Sequence, residues 1–251
     1  HFNLLQNDAI ITLHSIPDNY ADHCITDPPY SISNYEGKKE IGWLKSNKYW
    51  SEAKKFCKIN EDWDKFNGND YDIFTVLWLR EVFRIVKPNG NLIIFGSYHN
   101  IYKIGYFLQK FKKKIVNSIV WYKRNAFPNI TQRMFCESTE HIVWAVNNDI
   151  KKASNWTFNY NSLKEINIKK CRHCNIELNF NYSFCPHCSK SDFEIIKRQM
   201  RNMWDVPMTP TREKKIGKHP SQKPISIVKR LIIGCSNEED TIIDPFTGSG
   251  T

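Results

Sequence analysis

Two absences limit the classes to which this protein can belong. The 251-residue sequence contains no apolar run that approaches the length of a membrane-spanning helix, and it does not open with a secretory signal. We therefore expect neither a membrane protein nor a secreted one, and the predicted location is cytoplasmic.

Acidic residues are also few, 26 against 36 basic ones, which gives a formal net charge of +10. That balance favours a polyanionic partner such as nucleic acid, although the lysines could instead serve only solubility.

The order of the predicted elements indicates an α/β fold. The length suits one large domain with an insertion, and strands alternate with helices as in a mostly parallel sheet with helices on both faces. The predicted strands are 3–6, 23–26, 91–96, 117–121, 141–146 and 240–244, and the predicted helices are 9–16, 71–86, 98–111 and 225–234. We expect the strands at 117–121 and 141–146 to pair as an antiparallel edge.

The most informative motif is Asp27-Pro28-Pro29-Tyr30, at the carboxyl end of a predicted strand. The first proline keeps Asp27 out of the helical region, and each proline fixes its own φ, so the Asp27 carboxylate and the Pro28 carbonyl are held in a preset relation. These two acceptors and the flat face of Tyr30 match the N–H donors and the π system of an exocyclic amine on a nucleobase. For the tetrapeptide alone, a proline-rich turn without chemistry is the alternative.

A second group of motifs lies near the other end of the chain. The strand predicted at 240–244 runs into a loop, Asp244 to Thr251, whose glycines let the backbone turn tightly and approach a ligand. A polar cluster from His219 to Pro224 precedes an amphipathic helix, and Pro224 suits the first helical position. A Gly-x-Gly alone is weak evidence, so its value depends on the other motifs.

In this order, the motifs resemble those of the DNA amino-methyltransferases that use S-adenosylmethionine, in the β arrangement, where the catalytic tetrapeptide precedes the glycine loop. The resemblance covers nearly the whole chain through five matches: 7–9, 27–30, 87–90, 219–224 and 244–251. It implies a Rossmann-like methyltransferase sheet and methyl transfer to the exocyclic amine of a base flipped out of duplex DNA. Asp as the first residue of the tetrapeptide favours adenine N6, with cytosine N4 as the alternative.

The resemblance also implies a role for each motif residue. Asp27 and the carbonyl of Pro28 would accept hydrogen bonds from the target amine, Pro29 would complete the rigid catalytic turn, and Tyr30 would stack on the flipped base. Asp8 is expected near the cofactor adenine, and the 219–223 cluster over the methionine part. The implied cofactor-binding residues are Asp8, Ala9, Asp27, His219, Pro220, Ser221, Gln222, Lys223, Asp244, Pro245, Phe246, Gly248 and Gly250.

A separate metal motif lies in a predicted insertion at 151–210. Cys171-x2-Cys174 and Cys185-x2-Cys188 have the paired spacing of a tetrahedral structural Zn²⁺ site. A pair of disulfides is less expected in the cytoplasm, and a redox dithiol would need only one of these pairs. His173 and His187 could each replace a thiolate as a ligand. The resemblance places target recognition just before the 219–224 cluster, so the zinc ribbon is expected to read DNA, although it could instead only brace the fold.

The predicted organisation has three parts: a methyltransferase core with the target-base site at 1–150, the insertion at 151–210, and a cofactor-binding part at 211–251. The polar and aromatic stretch 31–70 is expected to overhang the target pocket as a DNA-contacting or closing loop, although its aromatic residues could instead form a small satellite core. The resemblance implies further sheet elements after Thr251, so the pocket is expected to lack a wall and this chain to bind the cofactor poorly by itself.

Duplex DNA is the expected partner, and the resemblance is compatible with a homodimer and a companion restriction endonuclease. The competing function is a zinc-stabilised DNA-binding or specificity component with an incomplete, inactive fold.

Overall fold

The structure, a computed structural model, contains two sheets and four α-helices in the residues that it describes, which are 2–33, 62–66, 69–129, 132–179, 181–214, 221–248 and 250–251. The helices are α1 Ala9–Ser15, α2 Asp70–Ile85, α3 Ile101–Lys110 and α4 Ile225–Cys235. The strands are β1 His23–Thr26, β2 Asn91–Gly96, β3 Lys113–Tyr122, β4 Thr139–Asp149, β5 Lys164–Cys171, β6 Glu177–Asn179, β7 Phe193–Gln199, β8 Met203–Asp205 and β9 Ile242–Ile243.

The larger sheet has six strands in the order β8-β3-β4-β2-β1-β9. β1 is parallel to both β2 and β9, β3 is parallel to β8, and β4 runs antiparallel to its two neighbours. The predicted α/β sheet and its antiparallel pair are therefore confirmed. Because β1 and β9 are adjacent and parallel, the tetrapeptide after β1 and the glycine loop after β9 leave the sheet at the same edge.

The central strand β2 is buried on both faces of the sheet. Its apolar side chains alternate: Leu92 and Ile94 join the core formed with α1, α2 and α3, whereas Ile93 and Phe95 join the core formed with α4. All six β2 residues are buried, which explains the nearly continuous apolar run in the sequence. Helices therefore cover both faces, as predicted.

The turn between α2 and β2 requires glycine. A Cβ added at Gly90 would lie 2.1 Å from the backbone oxygen of Asp22 and 2.5 Å from a methyl carbon of Val86. Asp22 in turn accepts a hydrogen bond from the backbone N–H of Thr241 at 2.9 Å and pairs with Lys87 at 2.6 Å. Asp22 thus links the turn from Lys87 to Gly90 to the amino ends of β1 and β9.

One predicted strand is absent, and several predicted element boundaries were wrong: β3 and β4 are longer than expected, and β9 is only Ile242–Ile243. Residues 3–6 form no strand: they have no ladder hydrogen bonds, and Leu4 and Leu5 are each 66% exposed. The helix expected from residue 98 begins at Ile101, because the Asn100 side chain accepts the Ser97 N–H at 2.9 Å and closes a turn there. Pro224 precedes the first helical residue of α4, with an extended ψ of 133°.

The smaller sheet is three-stranded and antiparallel, in the order β6-β5-β7. It occupies Lys164–Gln199, whereas β8, which follows it, joins the six-stranded sheet and buries Trp204 in the core beneath α4. The division of the chain into 1–150, 151–210 and 211–251 stays a prediction. Within the described part of the chain, every helix is too short or too polar to cross a membrane.

Candidate active site

A cavity of about 910 Å³ opens at the carboxyl ends of β1 and β9. In open α/β sheets, ligands bind beyond the carboxyl ends of the strands, and small-molecule sites typically measure about 300–1,000 Å³. The predicted site residues that line this cavity are Asp8, Ala9, Asp27, Pro28, Pro29, Tyr30, Ser221, Gln222, Lys223, Asp244, Pro245, Phe246 and Gly248. One space is therefore bordered by both motifs, as the shared sheet edge requires.

Three predicted cofactor residues are not placed at this cavity. His219 and Pro220 lie outside the residues that the structure describes. Gly250 does not line the cavity, although it adopts a φ of +72° that favours glycine. Gly248 does line it, with a φ of +54°, so the backbone of the loop approaches the cavity at Gly248.

Asp27 is the centre of a hydrogen-bonded group of four polar side chains. Its Oδ1 accepts the Tyr30 hydroxyl at 2.7 Å, and its Oδ2 accepts from the Lys223 ammonium at 2.5 Å. Glu140 closes the group: its Oε2 lies 3.3 Å from the Tyr30 hydroxyl and 3.5 Å from Lys223 Nζ. Although Asp27 is engaged in an ion pair, it faces the same cavity as Gly248.

The two donors beside Asp27 favour its ionised form against the effect of burial. Burial raises the pKa of Asp27, and the Lys223 ammonium opposes that rise. Burial by itself would lower the pKa of Lys223, but attraction to Asp27 and Glu140 outweighs it and raises that pKa. Burial also raises the pKa of the Tyr30 hydroxyl well above its ordinary value, so that hydroxyl keeps its proton. Both neighbours of Asp27 donate, which leaves a carboxylate as the acceptor on both oxygens.

Asp244 occupies the corresponding position after β9. Its Oδ1 accepts the Thr26 hydroxyl at 2.6 Å and the backbone N–H of Phe246 at 3.0 Å. Burial raises the pKa of Asp244 to about 6, against these two hydrogen bonds, which lower it. This carboxyl group is therefore expected to change charge at a mildly acidic pH.

Sequence reasoning missed two acidic residues of the site. Glu140 opens β4 and contacts Lys223, and Asp64 is 1% exposed beside the backbone that follows Tyr30. Neither residue belongs to a recognisable motif, and both reach the site through contacts between distant parts of the sequence. Asp64 lies within the stretch predicted to overhang the pocket. Of the aromatic residues that suggested this role, Trp63 borders the cavity, whereas Trp43, Tyr49, Trp50 and Phe56 lie outside the described residues.

The four predicted zinc ligands converge in the smaller sheet. The ligand atoms of Cys171, Cys174, Cys185 and Cys188 all lie within 4.8 Å of one another, with Sγ to Sγ distances of 3.4 Å for Cys171 to Cys188 and 3.5 Å for Cys174 to Cys185. These distances are too long for disulfides, whose sulfurs lie about 2.05 Å apart. They suit four thiolates that surround an ion at about 2.3 Å from each sulfur.

The backbone around the two cysteine pairs repeats the same geometry. Asn175 donates its N–H to the Cys171 carbonyl at 2.9 Å, and Ser189 donates to the Cys185 carbonyl at 2.8 Å. Both donors stand four residues after the first cysteine of their pair, with φ values of +59° and +55°. Two knuckles of identical form therefore present four sulfurs to one point, which fits a tetrahedral metal.

Comparison with protein families and curated relatives identifies what the chain resembles. The N6_N4_Mtase family model, described as DNA methylase, matches residues 21–251. The type II methyltransferase M2.LlaDCHI of Lactococcus lactis subsp. cremoris is 34% identical over 249 residues, 99% of this chain and 77% of that protein. M2.DpnII of Streptococcus pneumoniae, also a type II methyltransferase, is 34% identical over 249 residues, which are 99% of this chain and 78% of that protein. M.HinfI of Haemophilus influenzae is 32% identical over 254 residues, 99% of this chain but 59% of that protein.

Solved structures share the fold at low sequence identity. The crystal structure of the M1.HpyAVI-SAM complex has a TM-score of 0.53 and 21% identity, covering 97% of this chain and 81% of that one. PvuII DNA methyltransferase, which is cytosine-N4-specific, has a TM-score of 0.54 and 11% identity, and the match covers 95% of this chain and 71% of that one. At these identities the likeness concerns the fold alone, and it confirms the predicted Rossmann-like class.

Proposed function

This chain belongs to the N6/N4 DNA methylase family, and from that premise we propose that it transfers a methyl group from S-adenosylmethionine to N6 of adenine in a specific duplex DNA sequence. The observation that carries the proposal is the single cavity bordered by both the Asp27–Tyr30 turn and the Asp244–Gly248 loop. When bound, S-adenosylmethionine supplies an electrophilic sulfonium methyl group. A donor at the glycine loop and a base at Asp27 would then lie in one space, which favours direct transfer.

The target amine would bind to two acceptors at the tetrapeptide. A carboxylate offers about four lone-pair positions, and Tyr30 and Lys223 occupy two of those on Asp27. The Pro29 carbonyl accepts the Tyr71 hydroxyl at 2.9 Å, whereas none of the described residues donates to the Pro28 carbonyl. Asp27 and Pro28 therefore retain acceptor capacity for the two N–H groups, and pulling on them would favour a pyramidal, more nucleophilic nitrogen in the transition state.

Lys223 and Tyr30 would keep Asp27 in its accepting form. Both side chains donate to Asp27, and the Lys223 ammonium opposes the rise in the Asp27 pKa that burial causes. The tyrosine ring would also offer a face to the flipped base, since stacking of a base on an aromatic ring contributes about 1–3 kcal/mol. We propose that the amine proton leaves only after the nitrogen has become cationic, so no strong base is needed.

Duplex DNA is the proposed substrate because the rim of the site carries basic and exposed apolar side chains. The loop between β3 and β4, residues 123–138, emerges beside Glu140, which contacts Lys223 in the site. The loop carries three basic residues, Lys123, Arg124 and Arg133, and Phe135 is 95% exposed. Such a loop suits contacts with phosphates and with an opened base stack. A homodimer and a companion restriction endonuclease stay predictions.

A structural Zn²⁺ is proposed for the four-cysteine site, where four thiolates would complete a closed tetrahedral shell that does no chemistry. Charged side chains surround it on the smaller sheet, namely Lys169, Lys170, Arg172, Lys190, Lys197 and Arg198. We propose that this ribbon contributes to reading the DNA sequence, because it follows the core strands and carries an excess of basic residues. The competing proposal is that the ribbon only braces the fold.

The base specificity can be measured directly. Unmethylated plasmid DNA is incubated with the purified chain and S-adenosylmethionine, digested to nucleosides, and analysed by mass spectrometry. We expect N6-methyldeoxyadenosine to accumulate. Accumulation of N4-methyldeoxycytidine instead would keep the family and overturn the adenine assignment. DNA binding without any methylated nucleoside would favour the inactive specificity component.

Cofactor affinity is expected to fall with decreasing pH because of Asp244. We propose that its carboxylate attracts the ammonium group of the cofactor, and its pKa of about 6 means that protonation competes with binding below that value. A single competing proton at pKa 6 weakens apparent affinity about tenfold at pH 5 relative to pH 7.5. Calorimetric titration of S-adenosylmethionine at the two pH values measures this change.

The Asp244→Asn variant provides the control for that pH dependence. It should bind the cofactor more weakly at pH 7.5 and show less than a twofold change in affinity between the two pH values, because its side chain does not titrate. A tenfold change that persists in Asp244→Asn would assign the pH dependence to another group.

A further inference from the structure

The backbone that follows Tyr30 is held by one buried side chain, Asp64. Its Oδ1 accepts the backbone N–H groups of Tyr30 at 2.8 Å and Ser31 at 2.7 Å. Its Oδ2 accepts those of Ile32 and Ser33, both at 2.9 Å. One carboxylate with 1% exposure thus satisfies four consecutive N–H groups.

This arrangement fixes an unusual local conformation. Four N–H groups converge on one point only if the backbone turns sharply, and Ser31 supplies that turn with a φ of +58°. A non-glycine residue in the left-handed region is strained and persists only where surrounding contacts determine it. Converging backbone N–H groups form an anion-binding concavity, and here the anion is the Asp64 side chain.

A second contact holds the other side of Tyr30. The Tyr71 hydroxyl donates to the Pro29 carbonyl at 2.9 Å, and Tyr71 is buried in the first turn of α2. The backbone of the catalytic tyrosine is therefore anchored at its N–H by Asp64 and at the preceding carbonyl by Tyr71. The Tyr30 hydroxyl in turn donates to Asp27 at 2.7 Å, so the orientation of Tyr30 is transmitted to the acceptor of the target amine.

We propose that Asp64 is a positioning residue for methyl transfer: its four hydrogen bonds set the geometry of the catalytic turn, and so the placement of Tyr30 and Asp27 against the target base. This role rests on the proposed function. It differs from a purely structural role because the four N–H groups belong to the residues next to the reacting groups. Loss of the contact should therefore change the rate of the chemical step more than the overall fold.

The Asp64→Asn variant tests this role with an isosteric change. The asparagine amide retains one oxygen, and its NH2 group would face two backbone donors, so at least two of the four hydrogen bonds are lost. We expect the single-turnover rate constant of methyl transfer at saturating DNA and cofactor to fall about 100-fold, since small displacements at a reacting centre have effects of that order. Cofactor affinity should stay within about twofold, because Asp64 contacts none of the glycine loop.

Two further variants provide matched controls. Asp72→Asn removes a carboxylate on the surface of α2 that pairs with Lys103, and it should leave the rate unchanged. Ser31→Gly in the Asp64→Asn background should restore part of the rate, several-fold, because glycine adopts the left-handed conformation without strain. A merely structural role predicts fewer active molecules, seen as a lower burst amplitude, with an unchanged rate constant per active site.

Hydrogen–deuterium exchange supplies a readout that does not depend on activity. In Asp64→Asn, amide exchange should accelerate at residues 30–33 and stay unchanged in β2. A single-turnover rate constant within threefold of the unaltered chain, or unchanged exchange at residues 30–33, would overturn the positioning role. If the unaltered chain transfers no methyl group to DNA, the proposed function fails by itself, and the exchange measurement still decides whether Asp64 holds the turn.

Discussion

The Asp27→Asn variant is expected to lose methyl transfer by a factor on the order of 10³ while largely keeping its affinity for S-adenosylmethionine. The substitution preserves shape but replaces a charged acceptor by a neutral amide, and removal of one preorganised partner of a reacting group costs about 10²–10³ in rate. The loss should lie at the upper end, because the asparagine NH2 group would point either at the target amine or at Lys223, which are both donors.

The change at Asp27 also affects stability, which the measurement has to separate from catalysis. In Asp27→Asn, the buried Lys223 loses its 2.5 Å partner and keeps the more distant Glu140, at 3.5 Å. Loss of one member of a buried ion pair destabilises a protein by about 3–5 kcal/mol. Single-turnover rates should therefore be measured well below the midpoint temperature of thermal unfolding of the variant. That temperature is determined with and without cofactor.

The matched control is Asp18→Asn, which removes an exposed carboxylate that pairs with Arg84 at 2.6 Å and does not line the cavity. That variant should transfer methyl groups at the rate of the unaltered chain. An Asp27→Asn enzyme that retained a tenth or more of the original rate constant would show that the Asp27 charge does not drive the reaction.

The parts of the site that the sequence predicted are those whose local chemistry is rigid. The two prolines of the tetrapeptide and the glycines after β9 constrain their own backbone, so both loops could be recognised without knowledge of their neighbours. The parallel pairing of β1 with β9 then accounts for the shared cavity. The cysteine pairs are a similar case, because each knuckle forms within a few residues of sequence.

The partners of these loops could not be predicted because they come from distant parts of the chain. Lys223 reaches Asp27 across 196 residues, and Asp64 reaches Ser33 across 31. A lysine before a helix and an acid beside a tryptophan are both ordinary surface patterns, so only the tertiary fold reveals that they are buried. The supposed strand at 3–6 failed for a related reason: two adjacent leucines do not specify a strand unless a neighbouring strand pairs with them.

Removal of the zinc ion that we propose for the four-cysteine site is expected to unfold the smaller sheet and leave the six-stranded sheet intact. Among the residues of Lys164–Gln199 whose side chains the structure describes, the only buried ones are Cys171 and Cys185. The ribbon therefore has almost no apolar core of its own, and strands with so little buried surface are unstable by themselves. Zinc binding by four thiolates contributes about 10–16 kcal/mol to folding in small metal-stabilised units, so the metal would supply most of the stability.

Metal analysis of the purified chain should find one equivalent of zinc, and chelation should expose the 164–199 region to protease. Cys174→Ser should lower zinc content and DNA affinity by at least about tenfold each, since one of four ligands is lost. Cys136→Ser alters an exposed cysteine outside the site, and it should keep the full equivalent of zinc. Cofactor affinity should stay unchanged after chelation, because the glycine loop follows β9 in the other sheet. If the ribbon resists protease without metal, the metal does not supply its stability. If DNA affinity survives metal loss, the ribbon does not read the DNA sequence, and the β3–β4 loop becomes the candidate for that role.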